Sequence, residues 1–372
     1  MLPANPALVD REYLRAGVDA ALARHVARLR DTVAAVSPDA AGLADAVERM
    51  VGGGKRLRAA FCYWSWRAHG GVPGTEEEQA VLRAGAALEL FQAAALFHDD
   101  VMDDSSTRRG LPAAHRFFAA EHRAAGRRGD AQRYGDGVAI LLGDLSLVAS
   151  EEEMSHALAT LPAPVARSAR TVFDLMRTEV TVGQYLDLLA QSMPWGDPAD
   201  DERRALEVVR AKAARYSVEH PIVLGAALAG ADEEALEGCR AVGLPLGEAF
   251  QLRDDVLGVL GDPATTGKPA GDDLREGKRT VLVARALALA TAAGDTDAVS
   301  VLTERIGDPD LDAEGVATLT DLLVRTGAVA EVEKLISELR SQAFDAIEAR
   351  RWPEPARGAL VALAHAAVDR TS

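Results

Sequence analysis

The fold of this chain is indicated most clearly by the stretch AALELFQAAALFHDDVMDD, residues 86–104. Its first part is apolar on most helical faces, so the helix that it forms should be buried by other helices. The stretch ends in two aspartate pairs, and Asp99 and Asp103 share a helix face because they are four residues apart. Like charges at that spacing destabilise a helix, and packing does not explain four carboxylates at the end of a buried one. The stretch therefore predicts a helical core with a cation site at its edge.

Helical patterning extends over nearly the whole chain. Apolar positions recur at helical spacing in ten stretches: 11–36, 76–104, 137–160, 165–192, 202–230, 233–260, 280–293, 313–326, 329–350 and 356–369. The breaks between them carry turn residues, and none has the length or composition of an interdomain linker. A length of 372 residues would suggest two or three domains. We nevertheless expect one large all-α bundle that forms a single domain over residues 1–372.

The overall charge and the cysteine content exclude several classes of protein. There are 41 Lys and Arg against 57 Asp and Glu, and this net charge of −16 argues against a nucleic-acid partner. Cys62 and Cys239 lie far apart, which excludes a disulfide framework or a zinc ribbon and fits a reducing cytoplasm. The first residues lack the features of a secretion signal, and no uninterrupted apolar run reaches the roughly 18 residues of a membrane span. We expect a cytoplasmic protein without a transmembrane segment.

The aspartates at 99–104 suit a hard cation. Oxygen ligands without cysteine or clustered histidine favour Mg²⁺, which binds through one or two carboxylates, waters and substrate phosphates. Arg108 and Arg109 follow at once, and guanidinium groups bind phosphate in a bidentate manner. A charge cluster exposed to solvent is the alternative, but it would not follow a buried apolar run. The segment predicts a site for a magnesium-bound phosphate ester.

A second acidic segment, FQLRDDVLGVLGDPATTGKPAGDDLREGKRT, covers residues 250–280. Gln251, Asp254 and Asp255 form a polar strip at the end of another apolar helix. The loop that follows contributes Lys268, Asp273 and Lys278. One aspartate pair before a loop is weak evidence, but two such segments in one helical chain again indicate carboxylate-bound magnesium with phosphate-binding lysines.

A third segment, GGGKRLRAAF at 52–61, is basic in an otherwise acidic chain. Glycines precede a helix in which Lys55 and Arg58 lie one turn apart, which makes an anion site plausible. An exposed, charged helix start is the alternative for this segment alone.

Together these segments resemble the trans-isoprenyl diphosphate synthases, also called polyprenyl synthetases. GGGKRLR is similar to the family's GGKRxR motif, HDDVMDDSSTRRG to its first aspartate-rich motif, and FQLRDDVLG with the following TGK and GK to its second. Between them, VGQYLDL at 182–188 resembles the GQxxDL segment, and KAARYS at 212–217 lies where the family has a Lys-Thr segment. The motifs follow the family order from about residue 50 to 280, and the geranylgeranyl diphosphate synthases of actinobacterial type are the most similar members.

The resemblance implies a fold and a reaction. The fold is the isoprenoid synthase type, a helical bundle around a central cavity that is usually a homodimer. The reaction joins isopentenyl diphosphate head to tail to an allylic diphosphate (dimethylallyl, geranyl or farnesyl). Mg²⁺ assists ionisation of the allylic substrate, with three ions expected when diphosphate is bound. The departing pyrophosphate takes the final proton, which agrees with the lack of an evident general base in the sequence.

The resemblance also implies roles for single residues. Asp99 and Asp103, with Asp100 nearby, would hold two ions, and Asp254 a third with support from Asp255 and Asp273. The allylic diphosphate would be bound by Arg108, Lys212 and Lys268, and Lys278 would be a further substrate-binding lysine. Isopentenyl diphosphate would be bound by Lys55, Arg58, Gln92 and Arg109. Lys212, Gln184, Gln251 and Tyr216 would lie beside the allylic cation.

Three residues depart from the family pattern. Gly258 stands where many relatives have a third aspartate, Ala213 replaces a common threonine, and Ala59 replaces a frequent proline. None of these changes removes a predicted metal ligand, so we expect an active enzyme.

The product length can be argued from the helix before Asp99. A growing chain should extend along this helix, where Ala94 and Ala95 are small and Phe91 lies another turn away. Phe91 as the floor of the cavity predicts geranylgeranyl diphosphate, while an ordinary core role for Phe91 is the alternative. Farnesyl or longer polyprenyl products, a class I terpene cyclase and an inactive partner subunit remain as rival hypotheses. The paired basic residues argue against the cyclase, and the complete first aspartate motif argues against the inactive subunit.

Overall fold

The computed structural model describes residues 8–261, 271–308 and 310–369, and these residues are helical apart from turns and one short hairpin. The all-α prediction is confirmed. The first helices are α1 (Leu14–Val36), α2 (Ala41–Val51), α3 (Leu57–Ala68) and α4 (Glu76–Met102). The hairpin β1 (Thr107–Arg108) and β2 (Leu111–Pro112) precedes α5 (Ala114–Ala124), α6 (Ala131–Leu158), α7 (Ala163–Ser192) and α8 (Pro198–Val208). A π-helix (Val209–Glu219) is followed by α9 (His220–Leu228), α10 (Glu233–Leu260), α11 (Asp272–Arg275), α12 (Val281–Ala293), α13 (Thr296–Arg305), α14 (Ala313–Arg325), α15 (Ala328–Ala349) and α16 (Ala356–Val368).

The chain divides into two compact units. Unit 1 contains Met1–Arg170 and Leu224–Ala231, and unit 2 contains Thr171–Val223 and Asp232–Ser372. The first aspartate-rich segment belongs to unit 1, and the second belongs to unit 2. A single domain over residues 1–372 remains a prediction.

Unit 1 is built around α4, which packs against α1, α3 and α6, while α5 packs against α6. The helix begins where the Thr75 side chain accepts a hydrogen bond from the Glu78 amide at 3.3 Å, a side-chain cap of the helix start. Within the described ranges, α4 is the helix long and apolar enough to cross a membrane, but 78% of its apolar window is buried inside the protein. It is a core helix, as its apolar faces predict.

Unit 2 is built around α10, which packs against the π-helix and α15, and α12 packs against α8. Asp232 caps α10 by accepting a hydrogen bond from the Ala235 amide at 2.9 Å. The buried face of α10 includes Leu246, Leu252 and Val256. This packing fixes the direction of the helix end that carries Asp254 and Asp255.

The ten predicted helical stretches all coincide with helices of the structure, with ends shifted by a few residues. Helices α2, α3, α5, α11 and α13 were not among them, because each has 12 residues or fewer and offers few turns over which a helical period can be recognised. The π-helix lies inside the predicted stretch 202–230 and has no distinct sequence period of its own.

Candidate active site

The first aspartate-rich segment lies where α4 ends. The helix runs to Met102, and the Asp103 amide donates to the Asp99 carbonyl at 2.8 Å, so both residues keep the spacing of one helical turn. Asp104 then adopts a φ of +51°, which turns the chain out of the helix. Asp99 and Asp103 are half-buried at this end, as the sequence predicts for ligands at the edge of the core.

Asp100 points the other way, into unit 1, and is fully buried. The Arg108 guanidinium donates two hydrogen bonds to its Oδ1, with the Nε contact at 2.9 Å. The other carboxyl oxygen, Oδ2, is buried without a hydrogen-bond partner. Burial raises the pKa of Asp100, and the Arg108 charge opposes that rise. Asp100 therefore holds the arginine that the sequence assigns to diphosphate binding.

The hairpin after α4 positions Arg108 and Arg109. Its turn residues, Arg109 and Gly110, have φ values of +102° and +76°. A two-residue hairpin loop of type I′ needs positive φ at both positions, and for arginine this conformation is strained. The Arg109 Nη1 lies 3.4 Å from the Met50 carbonyl at the end of α2. The hairpin turn therefore keeps Arg109 next to Arg108 in spite of its strained backbone.

Positive charge is concentrated around Arg109. Its pKa is lowered by burial first, and then by the neighbouring charges of Arg108 and Arg56. The carboxylates of Glu89 and Asp100 oppose this lowering, but an anion bound beside Arg109 would stabilise its charged form further, so this part of unit 1 is suited to a phosphate group.

The basic segment 52–61 contains one structural arginine that the sequence argument did not single out. Arg56 is buried with a φ of +51°, and it bonds Asp19 at 2.8 Å and Glu89 at 3.1 Å. Lys55 is exposed and Arg58 is half-buried, as required of residues that bind a substrate. The sequence did offer a signal for this role, because the segment contains more cations than a single anion site needs, so one of them could serve the structure instead.

The residues predicted to set product length lie on two faces of α4. Phe91 is 3% exposed and Ala94 is fully buried, whereas Ala95 is half-buried. Gln92, Ala95 and Asp99 follow each other at helical spacing and are all half-buried. The half-buried positions on this face of α4 therefore run from Asp99 to Gln92, and Phe91 is buried beside Gln92 on the neighbouring face.

In unit 2, the second aspartate pair occupies the last turns of α10. Gln251 donates a hydrogen bond from Nε2 to the Asp255 Oδ1 at 2.8 Å. Burial raises the pKa of Asp255 to about 7, and the charges of Asp273 and Asp254 add to the rise. Carboxylates that oppose each other's ionisation are stabilised by a bound cation.

Asp273 lies over Gly258. A Cβ at position 258 would come within 2.3 Å of the Asp273 Oδ2, so the glycine leaves room for this carboxylate. The Lys278 Nζ lies 3.1 Å from the Asp273 Oδ1 and 2.8 Å from the Glu276 Oε2, so this predicted substrate-binding lysine forms ion pairs with two carboxylates. Lys268 lies outside the described residues.

Lys212 lies in the π-helix, and its Nζ donates to the Asp187 Oδ2 at 2.5 Å. Tyr216 is buried in the same segment, and Gln184 is half-buried on α7. The sequence argument assigned no role to Asp187, although the quoted segment VGQYLDL contains it.

These residues fit magnesium. Across residues 8–261, 271–308 and 310–369, no three His, Cys, Asp or Glu side chains are arranged to hold a metal by themselves. Mg²⁺ ordinarily completes its shell with waters and substrate phosphates, so a partial carboxylate set is what it needs. The buried Asp100 Oδ2 has no hydrogen-bond partner, and the raised pKa of Asp255 reflects neighbouring carboxylates whose ionised forms a bound cation would stabilise.

Comparisons with known proteins identify relatives of this arrangement. The model of the polyprenyl synthetase family matches residues 41–317. A geranylfarnesyl diphosphate synthase of Aeropyrum pernix is 34% identical over 267 residues, which cover 70% of this chain and 73% of that protein. A geranylgeranyl diphosphate synthase of Sulfolobus acidocaldarius is 32% identical over 273 residues, covering 73% of each chain.

A solved structure extends the similarity to almost the full chain. The geranylgeranyl pyrophosphate synthase of Corynebacterium glutamicum, complexed with isoprenyl diphosphate and magnesium, is similar with a TM-score of 0.89 and 36% identity. The alignment covers 97% of this chain and 99% of that one. The sequence resemblance is thereby confirmed, and the chain belongs to the polyprenyl synthetase family of prenyltransferases.

Proposed function

We propose that the condensation which this prenyltransferase catalyses, between isopentenyl diphosphate and an allylic diphosphate, ends at geranylgeranyl diphosphate. The observation that carries the proposal is the pattern of exposure on α4. Its accessible face runs from Asp99 past the small Ala95 to Gln92, and the buried Phe91 follows. Small residues near the aspartates leave room beyond a farnesyl chain, and Phe91 limits further growth.

We propose magnesium as the cofactor, held by carboxylates from both aspartate-rich segments. Asp99 and Asp103 would hold two ions on the allylic diphosphate, and Asp254 would hold a third, supported by Asp255 and Asp273. When bound, magnesium supplies positive charge that stabilises the pyrophosphate leaving group. The negative charge around Asp255 supports this assignment.

The chain's own cations would divide between the two substrates. Arg108, oriented by Asp100, and Lys212 would bind the allylic diphosphate, with Lys268 contributing from the loop. Arg109, with Lys55, Arg58 and Gln92, would bind isopentenyl diphosphate. Lys278 contacts Asp273 and Glu276, which supports a role in orienting Asp273.

The remaining residues would protect and direct the allylic cation. Gln184, Gln251 and Tyr216 would provide dipoles beside it, and apolar helix walls would exclude water that would otherwise trap it. The chain then needs no general base, because the released pyrophosphate can accept the final proton.

We propose that the protein works in the cytoplasm as a homodimer. On α6, Ile140, Leu141 and Val148 are 45%, 60% and 65% exposed, which is unusual for aliphatic side chains on a long helix. In unit 2, Val182 and Tyr185 of α7 are 50% and 63% exposed. Such apolar faces are suited to burial against a second copy of the chain.

Product analysis tests the proposed function. The enzyme is incubated with isopentenyl diphosphate and, separately, dimethylallyl, geranyl or farnesyl diphosphate. We expect geranylgeranyl diphosphate from every accepted starter. Hydrocarbon release without consumption of isopentenyl diphosphate would instead establish a terpene cyclase, and a farnesyl end product would refute the length assignment.

A pair of variants tests whether Phe91 forms the floor of the cavity. Phe91→Ala should lengthen the product by at least one isoprene unit because it removes the side chain that closes the accessible face. Leu90→Ala, at the adjacent and fully buried position on α4, is the control for a general loss of core packing and should keep the product length. An unchanged product from Phe91→Ala would show that Phe91 is an ordinary core residue.

A further inference from the structure

The segment that carries Lys212 has an unusual backbone. Residues Val209–Glu219 form a π-helix between α8 and α9. Such segments are rare because the wider turn has poorer hydrogen-bond geometry, and they occur frequently at functional sites. A π-helix therefore needs contacts with neighbouring elements that stabilise its wider backbone relative to an ordinary α-helix.

Three glycines provide that packing. A Cβ at Gly183 of α7 would lie 2.4 Å from the Lys212 backbone nitrogen. On α10, a Cβ at Gly247 would lie 2.3 Å from the Ala214 carbonyl oxygen, and one at Gly243 would lie 2.5 Å from the Glu219 Cα. All three contacts are with backbone atoms, so no side-chain rotation could relieve them. The π-helix is therefore held directly against α7 and α10.

Asp187 lies on the same face of α7, one turn after Gly183. It is 6% exposed, and its Oδ2 accepts the hydrogen bond from the Lys212 Nζ at 2.5 Å. Gln191 lies a further turn along and donates to the Asp187 Oδ1 at 3.4 Å. One helix thus fixes the Lys212 backbone through Gly183 and the Lys212 ammonium through Asp187.

We propose that Asp187 is a positioning residue that orients Lys212 for the allylic diphosphate. The inference rests on the proposed role of Lys212 as a diphosphate ligand. An ammonium group has three donors, and the bond to Asp187 fixes the directions of the other two. A lysine side chain has four rotatable bonds, so this restriction lowers the entropy that it loses on binding a phosphate.

A double-mutant cycle tests the proposal. Asp187→Asn keeps the size of the side chain but removes its charge, and Lys212→Ala removes the residue that it orients. If Asp187 acts through Lys212, the double variant should be no worse than Lys212→Ala alone. We expect Asp187→Asn to lower kcat about tenfold or more with a smaller change in KM, since misdirected donors weaken transition-state stabilisation.

Calorimetric titration with inorganic pyrophosphate in the presence of Mg²⁺ provides a second readout that does not depend on turnover. Asp187→Asn should weaken binding, Asp187→Glu should restore part of it, and a Lys212→Ala background should remove the effect. Asp174→Asn is the matched control on the same helix, because Asp174 pairs with Arg177 at the surface. This control should bind and turn over like the wild type.

The outcomes separate the two proposals. If Lys212→Ala binds pyrophosphate and turns over like the wild type, the diphosphate role of Lys212 is wrong. If Lys212→Ala is impaired but the two substitutions act independently, Lys212 keeps its role and the positioning role of Asp187 is refuted. Wild-type kcat and pyrophosphate affinity in Asp187→Asn would also refute it.

Discussion

Two groups of buried carboxylates in this protein have opposite electrostatic surroundings. Glu153 of α6, in unit 1, has a side chain 2% exposed, and His25 lies 3.1 Å from its Oε1. Arg28 donates to the same oxygen, His156 lies 3.9 Å from it, and Arg83 lies 3.7 Å from the other oxygen, Oε2. Burial alone would raise the pKa of Glu153, but the contacts with His25 and Arg28 outweigh it and lower the pKa to about 2.

Asp255 of α10, in unit 2, is also buried but lies among other carboxylates. Burial and the charges of Asp273 and Asp254 raise its pKa to about 7. The partners of Glu153 therefore outweigh the effect of its burial, whereas Gln251 and Lys278 do not outweigh burial and the neighbouring carboxylates at Asp255. The difference teaches that burial alone does not set the charge state of a carboxylate, because the groups around it decide the direction in which its pKa moves.

The largest expected effect is on catalysis at the second aspartate pair. Asp254→Ala should lower kcat/KM by about 10²- to 10³-fold, because it removes a ligand for the ion that stabilises the leaving group. Its free energy of unfolding should remain near that of the wild type or increase, since a repulsive charge is lost. Asp297→Ala, at an exposed position of α13, is the control. Equal activity in Asp254→Ala and in that control would remove Asp254 from the site.

The second expected effect is on the stability that Glu153 and its partners contribute. Glu153→Gln should lower the free energy of unfolding by about 3 kcal/mol, because it removes the buried charge on which the His25 ring and the Arg28 guanidinium converge. Denaturant titration measures the change, and kcat of the folded enzyme should stay close to the wild-type value. A large loss of kcat with unchanged stability would show that Glu153 belongs to the catalytic machinery.

The same ion pair predicts a pH dependence. The pKa of Glu153 is lowered in the folded protein from 4.5 to about 2, so its contribution to stability is complete above pH 4.5. That contribution is lost as the pH falls from 4.5 towards 2. The unfolding curves of wild type and Glu153→Gln should therefore converge through this range. A constant difference between them down to pH 2 would contradict the assignment.

The smallest expected effect concerns the space beside Asp273. Gly258→Ala places a Cβ where the Asp273 carboxylate lies, so that side chain must move. We expect a decrease in kcat/KM of about tenfold or less, because Asp273 is flexible enough to adjust. Steady-state kinetics over a range of magnesium concentrations would measure it. A gain in activity would show that Asp273 is better placed elsewhere.

The sequence was sufficient for the helical fold and for the carboxylate segments because both depend on local periodicity. The end of α4 is an example, since apolar spacing followed by Asp99 and Asp103 predicts both the buried helix and the polar edge. Such patterns could not predict that Asp100 holds Arg108, because that contact depends on the hairpin turn at Arg109.

The contacts that the sequence argument missed are between elements distant in the chain. Arg56 reaches Asp19 and Glu89, and Lys212 reaches Asp187 on another helix. The π-helix was equally hidden, because its signal is the placement of small residues on α7 and α10 rather than its own composition. Glycines within otherwise apolar helices were the one available indication of these close backbone contacts.

Binding of inorganic pyrophosphate, with and without Mg²⁺, tests the central claim most directly. That claim is that the two aspartate-rich segments bind diphosphate in a magnesium-dependent manner. Calorimetry should detect binding to the wild type and to Glu153→Gln only when Mg²⁺ is present, and should detect much weaker binding to Asp99→Ala and Asp254→Ala. Equal affinity in the presence of EDTA, or wild-type affinity in both aspartate variants, would contradict the account.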